Sequence, residues 1–84
     1  MFQIIVERAA EKELKRITSE VRPKLATAIR ALANDPRPHG CRKLVGTEND
    51  WRIRVGDYRV IYEIADEIKI LRITRIRHRK DSYR

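Results

Sequence analysis

Residues 51–64 read WRIRVGDYRVIYEI, and this stretch decides the fold class. Apolar and charged side chains alternate through WRIRV, and YRVIYEI forms a second run rich in β-branched and aromatic residues. Gly56 and Asp57 separate the two runs, and a Gly-Asp pair in that position is a signal for a two-residue β-hairpin. A third run, IKILRIT, follows an acidic turn, so the pattern predicts a three-stranded antiparallel meander.

The first half of the chain carries a helical periodicity. FQIIV (Phe2–Val6) indicates a short strand, and ERAAEKELKRI after it has its apolar residues on one side of a helix. Apolar residues at helical spacing within Val21–Leu32 predict a second helix, with Thr18 or Ser19 as its N-cap and Pro23 in its first turn. The helices are expected to form an antiparallel hairpin joined by a tight turn, and NDPRPHG ends the second helix.

The predicted element order is β-α-α-β-β-β, which indicates an α+β fold. It consists of an N-terminal strand, a helical hairpin and a three-stranded antiparallel meander, with both helices packed on one face of a small sheet. At 84 residues the chain has room for a single domain, residues 1–84, with a small core. The other face of the sheet is left open to solvent, so its side chains are the informative ones.

The composition favours a soluble domain that binds a polyanion. Hydrophobic residues make up 42% and charged residues 38%, and the net charge of +8 favours nucleic acid, an acidic protein or an anionic surface as partner. The apolar runs are too short for a signal peptide or a transmembrane helix, so no membrane association is expected. The single cysteine, Cys41, excludes an internal disulfide, is interpreted as incidental and indicates a reducing cytoplasm.

The hairpin assigns its side chains to two faces. With a two-residue turn, Arg54 lies opposite Arg59, and Arg52 and Arg72 share their face. The face toward the helices receives the apolar and aromatic side chains of the hairpin: Trp51, Ile53, Val55, Tyr58, Val60 and Tyr62. Directly opposed like charges are destabilising, whereas an anion over the sheet would turn them into a binding site, since guanidinium groups match phosphate oxygens.

Any one of these arginines is more simply explained as part of a solvated face, paired with a nearby acid. As a set they favour phosphate binding, because the positive excess is concentrated in the second half of the chain. Residues 51–84 hold ten basic and five acidic side chains, against ten and seven in residues 1–50. The residues assigned to substrate and phosphate binding are Arg52, Arg54, Lys43 and Arg72.

The residue types exclude most nuclease chemistries. The acids are dispersed and the two histidines share no ligand motif, so no metal site and no cofactor are expected. RNA supplies its own nucleophile, the 2′-hydroxyl, so metal-free cleavage needs cationic stabilisation and a proton carrier. Arginine keeps its proton at neutral pH, which leaves His78 and Tyr83 as candidate carriers. A solvated histidine and a packing or base-stacking tyrosine explain the same two residues equally well.

Two stretches resemble the RelE family of toxins from bacterial and archaeal toxin–antitoxin pairs: KLVGTENDWRIRVGDYRVIYEI and ITRIRHRKDSY. The likeness extends over nearly the whole chain, including the opening strand, the first helix and the LANDPRP end of the second. The last block and the H-R-x-x-x-Y tail are specific only in combination. The resemblance implies a RelE-like fold and an enzyme that enters the ribosomal A site and cuts mRNA there through the 2′-hydroxyl, without a metal.

The resemblance also implies roles for individual residues. Arg59 and Arg79 stabilise the phosphate, the two arginines of WRIRV bind substrate and assist, and Tyr83 takes part in proton transfer. The predicted catalytic set is Arg59, Arg79, Tyr83 and His78. The implied partners are the ribosome, its mRNA and an acidic RelB-like antitoxin, which wraps the toxin, blocks the arginine face and binds operator DNA as a complex.

The chain departs from the family in two places. Some members have lysine where this chain has the arginines of WRIRV, and many have glycine where it has Arg77. Regular alternation along the third strand of the meander also puts Arg79 on the face opposite Arg59. If both are to reach one phosphate, a bulge or bend is required between Ile73 and His78.

Two other functions stay open. A toxin of the related ParE group, which inhibits DNA gyrase, shares the fold but does not need the phosphate arginines and the terminal tyrosine together. A non-catalytic RNA- or DNA-binding module needs only the positive charge, with Tyr83 as a stacking platform.

Overall fold

The structure is a computed structural model, and it describes residues 1–80. In chain order its elements are β1 (Gln3–Val6), α1 (Arg8–Lys15), α2 (Arg22–Ala31), β2 (Arg42–Lys43), β3 (Asp50–Val55), β4 (Tyr58–Ala65) and β5 (Ile70–His78). The strands form one mixed sheet in the order β1-β5-β4-β3-β2. The predicted α+β class is confirmed. Within the described range, no helix is long and apolar enough to cross a membrane.

Both edges of the sheet differ from the predicted meander. β1 pairs in parallel with β5, so that Gln3 lies beside Ile70 and Val6 beside Ile73. At the other edge β2 pairs with the start of β3, in a segment for which no strand was predicted. A strand of two charged residues has no periodicity to detect, and parallel pairing of distant segments is settled by tertiary contacts. The expected meander is therefore the centre of a five-stranded sheet.

The β3–β4 hairpin has the predicted register. Val55 pairs with Tyr58 and Arg54 pairs with Arg59 across the two-residue turn. Gly56 in that turn has a φ of +60°, a left-handed conformation that glycine adopts without the steric cost of a side chain. The arginines of WRIRV therefore share one face of the sheet, as the alternation predicted.

The other face of the sheet packs against the helices and forms the core. Its largest fully buried side chains are Tyr62, Leu25, Leu32, Ile64, Leu71, Ile73 and Val60. Ala10 brings α1 into the same cluster, and so does Ile17, just after that helix. Trp51, Val55 and Tyr58 are partly buried against it. The helix-facing side predicted for the hairpin is thus confirmed. Burying one large apolar side chain contributes about 1.5–3 kcal/mol, so this face serves stability.

Two contacts tie the loop after α2 to the sheet. The Tyr62 hydroxyl donates a hydrogen bond to the Pro36 carbonyl oxygen at 2.7 Å. The Arg37 guanidinium donates two parallel hydrogen bonds to the Asp66 carboxylate, at 2.8 and 3.2 Å, and lies 5.0 Å from the centroid of the Trp51 ring. Burial raises the pKa of Tyr62 well above its ordinary value, so its phenol stays a neutral donor.

The turn between the helices differs from the predicted cap. Val21 occupies the N-cap position of α2, and no side chain caps it. Instead the Thr18 carbonyl accepts hydrogen bonds from the amides of Val21 and Arg22, at 3.1 and 3.2 Å. The side-chain cap predicted for Thr18 or Ser19 was therefore wrong, because the backbone satisfies these donors. Pro23 does lie in the first turn, where its missing amide costs least.

A β-bulge interrupts the pairing of β4 with β5. Tyr62 pairs with Ile73 whereas Ile61 pairs with Arg75, so Thr74 is an extra residue in β5. The Thr74 hydroxyl donates a hydrogen bond to the Ile61 carbonyl oxygen at 3.1 Å. The bulge inverts the alternation of β5 after it, so the isoleucines that precede and follow it are both buried. It is the irregularity that a phosphate site shared by β4 and the tail requires.

Glu13 of α1 closes the edge of β5 beyond the end of β1. Its carboxylate accepts a hydrogen bond from the Ile76 amide at 2.9 Å. The same carboxylate lies 3.3 Å from Arg75 Nε and 3.5 Å from Arg77 Nη1. Unpaired amides at a sheet edge invite unwanted pairing, and a carboxylate bound to one of them removes the donor. α1 therefore holds the half of β5 that follows the bulge.

Candidate functional site

Three arginines lie in one row across the open face of the sheet. β3, β4 and β5 contribute Arg54, Arg59 and Arg77, each directly opposite the next. Neighbouring strands are about 4.8 Å apart, so the three side chains start close together. The Arg77 guanidinium is paired with Glu13 at 3.5 Å, which leaves Arg54 and Arg59 as the pair that faces solvent on this row. The hairpin register aligns the first pair, and the bulge in β5 aligns the second.

A cleft of about 230 Å³ opens at the end of this row. Its lining comes from the hairpin turn, its flanking strands and the segment after β5: Arg54, Gly56, Asp57, Tyr58, Arg59 and Arg79. We call it the arginine cleft. The Arg79 amide donates a hydrogen bond to the Asp57 carbonyl oxygen at 2.7 Å, which holds Arg79 against the hairpin turn. Because the bulge inverts the alternation, Arg79 reaches the face of Arg59 rather than the opposite one.

Mutual repulsion among the arginines is visible in the pKa of Arg52. Burial lowers this pKa from its ordinary value, and the positive charges of Arg59, Arg54 and Arg42 lower it further. A lowered arginine pKa means that the environment disfavours the charged form, although a guanidinium keeps its proton at neutral pH. A bound anion would reverse that penalty, so the open face is electrostatically suited to one.

His78 lies on the helix side of the sheet, away from the arginine cleft. It pairs with Tyr58, and the two rings meet edge to face with their centroids 5.2 Å apart. The Nδ1 atom of His78 accepts a hydrogen bond from the Lys80 amide at 3.2 Å. The structure therefore does not bring His78 together with the arginines of the predicted catalytic set.

Two predicted phosphate-binding residues are also away from the cleft. Lys43 pairs with Trp51, which packs against the core, so Lys43 belongs to the helix side of the sheet. Lys43 therefore lies away from the arginine face, and the register of β2 places the neighbouring Arg42 on that face instead. Arg72 is on the arginine face but two rows from the cleft, where it pairs with Glu63, with 3.9 Å between Nε and Oε1. An exposed pair of this kind contributes little to stability.

The predicted proton carrier Tyr83 lies beyond the described residues, whereas a metal site can be sought within them. Tyr83 lies outside residues 1–80, so its role stays a prediction from the sequence. Within residues 1–80 no group of three or more His, Cys, Asp or Glu side chains is placed to hold a metal ion. The lining of the arginine cleft includes three arginines and one acidic residue, Asp57, so its net positive charge repels a cation.

Sequence reasoning missed two residues of the open face. Arg42 belongs to β2 and pairs with Arg52, which puts it on the arginine face. Asp57 was interpreted as a turn residue, yet it also lines the arginine cleft. Its position between the opposed Arg54 and Arg59 is a signal that could have found it. Nothing in the sequence around Arg42 predicts a strand.

The fold and the cleft together define a class of protein: small basic α+β domains with helices on one face of the sheet and arginines on the other. Over residues 4–83 the chain matches the family described as ParE toxin of type II toxin-antitoxin system, parDE. The chain belongs to this family of toxins, and its relatives confirm the resemblance to RelE.

The relatives cover almost the whole chain. Toxin RelE3 of Methanocaldococcus jannaschii is 28% identical over 86 aligned positions, which span 98% of this chain and 96% of the relative. A chain of the archaeal RelE–RelB complex from Pyrococcus horikoshii OT3 superposes with a TM-score of 0.83 at 25% identity, covering 93% of this chain and 94% of that one. Isolated RelE of E. coli gives a TM-score of 0.81 at 22% identity, with 93% and 84% covered, which is a likeness of fold.

Proposed function

We propose that this chain is a ribosome-dependent mRNA endonuclease, which cuts mRNA in the ribosomal A site by metal-free attack of the 2′-hydroxyl and so inhibits translation. One observation carries the proposal. Arg54, Arg59 and Arg79 meet in a single cleft, through a hairpin register and a β-bulge. Aligned like charges do not stabilise a fold, and phosphate is the anion that guanidinium groups fit best.

The cleft suits the charge that develops on a phosphate under in-line attack. In the proposal Arg59 and Arg79 stabilise the negative charge on the non-bridging oxygens, while Arg54 and Arg52 hold the substrate strand. A preorganised donor aimed at developing charge is worth about 10²–10³ in rate. Backbone pairing holds three of these arginines in place before the substrate arrives, so little reorganisation is needed.

Proton transfer requires a group other than arginine, because a guanidinium keeps its proton. The proposal assigns this step to Tyr83, on the basis of the H-R-x-x-x-Y resemblance. Asp57 is the alternative acceptor, since it is the acidic residue among the described residues that line the cleft. His78 is left out of the proposed mechanism because it lies on the helix side of the sheet.

The proposed partner is an acidic RelB-like antitoxin that covers the arginine face. RelE proteins of Pyrococcus horikoshii and Methanococcus jannaschii were crystallised as complexes with RelB. A net charge of +8 favours an acidic partner. Covering the arginine cleft would exclude RNA, and in the proposal the complex also binds operator DNA. A protein that acts on translating ribosomes works in the cytoplasm, and the proposed chemistry needs no cofactor.

One observation favours a second function, because the matching family is described as ParE toxin. A ParE-like toxin would inhibit DNA gyrase, an activity that has no need of a phosphate cleft. The convergence of Arg54, Arg59 and Arg79 therefore supports RNA cleavage over gyrase inhibition. A non-catalytic nucleic-acid-binding module would need only the positive charge.

Controlled expression, followed by mapping of mRNA ends on translating ribosomes, tests the proposed function. We expect new mRNA ends at A-site codons with the wild-type chain and their loss with Arg79→Ala. Tyr83→Phe and Asp57→Asn then separate the two candidate proton acceptors. The variant that loses cleavage identifies the acceptor, and the other variant should still cut mRNA. Arg30→Ala is the matched control, since it removes the same charge from an exposed position on α2.

Two other results would redirect the assignment. Growth arrest with intact mRNA and damaged DNA would replace the endonuclease by the gyrase inhibitor. A chain that is harmless in cells and only retains RNA on a filter would contradict both kinds of toxin and leave a binding module.

A further inference from the structure

A second cleft of about 230 Å³ lies beside the arginine cleft and is lined by Gly40, Arg42, Arg52 and Arg54. We call it the β2 cleft. It opens on the same face of the sheet, because Arg42 pairs with Arg52 and residues directly opposite each other share a face. The pair Arg42/Arg52 thus repeats, one row along the sheet, the arrangement of Arg54 and Arg59.

The β2 cleft has the charge and the shape of an anion site. Among the described residues, its lining includes three arginines and no carboxylate. Gly40 forms one wall with a φ of +91°, and a Cβ built there would meet nothing within 4 Å, so the wall is open. Since Arg42 is exposed and faces a partly buried Arg52, an anion entering from solvent would meet both guanidinium groups.

The two clefts are contiguous, because Arg54 lines both of them. On the far side of the Arg52 row the same face carries Asp50 opposite Glu63. These carboxylates repel a polyanion, so they bound the cationic surface in that direction. Toward the β5 edge, Arg75 and Arg77 of the same face are already paired with Glu13. A phosphodiester chain that leaves the arginine cleft along this face is therefore directed toward the β2 edge of the sheet.

We propose that the β2 cleft binds the backbone phosphate next to the one held in the arginine cleft, with Arg42 as the residue that positions the RNA strand. The inference rests on the proposed function and names a subsite for the same substrate. Arg42 contacts the strand away from the reacting phosphate. Its contribution is therefore to binding and alignment, whereas Arg59 and Arg79 act on the reacting phosphate itself.

Binding is measured apart from chemistry on ribosomes programmed with mRNA that is 2′-O-methylated at the cut site and so cannot be cleaved. Arg42→Ala is expected to weaken binding about tenfold, as for loss of one charge-assisted contact. The slope of log affinity against log salt is expected to fall by about 0.7, the share of one phosphate of a single strand. Arg30→Ala removes an equal charge from α2 and is expected to keep the wild-type slope. Arg42→Lys should recover the slope, since lysine restores the charge.

Cleavable mRNA separates positioning from catalysis. Arg42→Ala is expected to raise the toxin concentration for half-maximal cleavage and to leave the rate at saturation within about twofold of wild type. Arg59→Ala lowers the rate at saturation instead. A methylphosphonate, which removes the charge of one phosphate, is then moved along the mRNA around the cut site. At the phosphate that Arg42 contacts, the loss caused by Arg42→Ala and the loss caused by the methylphosphonate should not add, because both remove the same contact.

Full additivity at every phosphate, or an unchanged salt slope in Arg42→Ala, would overturn the second phosphate site while the toxin still cuts mRNA. If the wild-type chain cuts no mRNA at all, the proposed function fails by itself. Fluorescence anisotropy with a short single-stranded RNA in solution then tests whether the β2 cleft binds phosphate. A lower salt slope in Arg42→Ala than in Arg30→Ala would retain the phosphate site, and equal slopes would remove it.

Discussion

Thr74 donates a hydrogen bond from its hydroxyl to the Ile61 carbonyl oxygen at 3.1 Å, at the point where β4 and β5 change register. The extra residue inverts the alternation of β5. β5 carries Arg72 on the open face of the sheet before the bulge, and Arg79, which follows this strand, therefore lies on that face as well. One side-chain hydrogen bond at a bulge thus supports the third arginine of the candidate site.

Thr74→Val is expected to lower the free energy of unfolding by about 1 kcal/mol, because the bulge loses this hydrogen bond. It should also lower the rate of mRNA cleavage at saturation, since Arg79 depends on the bulge for its place. Urea unfolding and single-turnover cleavage measure the two effects. Thr74→Ser keeps the hydroxyl and should retain both properties. Wild-type cleavage by Thr74→Val would show that the backbone maintains the bulge unaided.

Arg59→Ala is expected to lower the single-turnover cleavage rate at saturating toxin by about 10²-fold, the typical loss for one preorganised donor. Urea unfolding of the same variant checks that the lost rate does not come from a lost fold. Arg59→Lys keeps the charge without the planar fork, so only part of the rate should return. An undiminished rate at saturation in Arg59→Ala would take this residue out of the catalytic set.

Glu13→Ala is expected to lower the free energy of unfolding by about 1–2 kcal/mol, because it leaves the Ile76 amide at the sheet edge without its acceptor. Glu13→Gln keeps an oxygen for that amide and loses only the partly exposed ion pairs, so its cost should be about 0.5 kcal/mol or less. Urea unfolding compares the two variants. Glu11→Ala is the control, since Glu11 makes an exposed pair with Lys15 at 3.3 Å on the same helix. Equal losses in Glu13→Gln and Glu13→Ala would mean that the ion pairs, not the amide contact, stabilise this edge.

Tyr62→Phe is expected to cost about 1–2 kcal/mol of unfolding free energy. Phenylalanine lacks the hydroxyl of this fully buried side chain, so the Pro36 carbonyl oxygen loses the donor that lies 2.7 Å from it. Tyr58→Phe, at a partly buried position on the same strand, should cost less. Thermal unfolding of both variants makes the comparison, and equal costs would argue against a specific role for the Pro36 contact.

The Arg37–Asp66 pair is expected to make stability depend on acid pH. The hydrogen bonds from Arg37 lower the pKa of Asp66 from its ordinary value. A carboxyl group whose pKa is lower in the folded state stabilises the protein above its unfolded pKa of about 3.9, and this contribution is lost as the pH falls through the folded pKa. The urea midpoint of wild type should therefore exceed that of Asp66→Asn at pH 7, and the difference should shrink below about pH 4. In an Arg37→Ala background most of the difference should disappear, because only the smaller contribution of Lys69 is left. An undiminished difference would assign the effect to a partner other than Arg37.

The face of each side chain in the β3–β4 hairpin was decided by the sequence alone. Alternation with a period of two, closed by a Gly-Asp turn, leaves one register that buries the apolar set, so Arg54 must oppose Arg59. The helices and the α+β class follow from the same kind of local periodicity. These features depend on residues close together in the chain, which is why they could be predicted.

The composition of the cleft was decided by the tertiary structure. Arg42 lies on the arginine face, and Lys43 on the other, only because these two residues pair with the edge of β3 although the sequence around them has no strand pattern. The sequence required an irregularity before His78, but its place at Thr74 depends on how β4 and β5 match along their whole length. Ile73 and Ile76 are three residues apart and would lie on opposite faces of a regular strand, yet both are buried. Their spacing is the sign of the inversion that the sequence contains. A bulge is settled by which partner strand buries which side chain, and that competition takes place between distant segments of the chain.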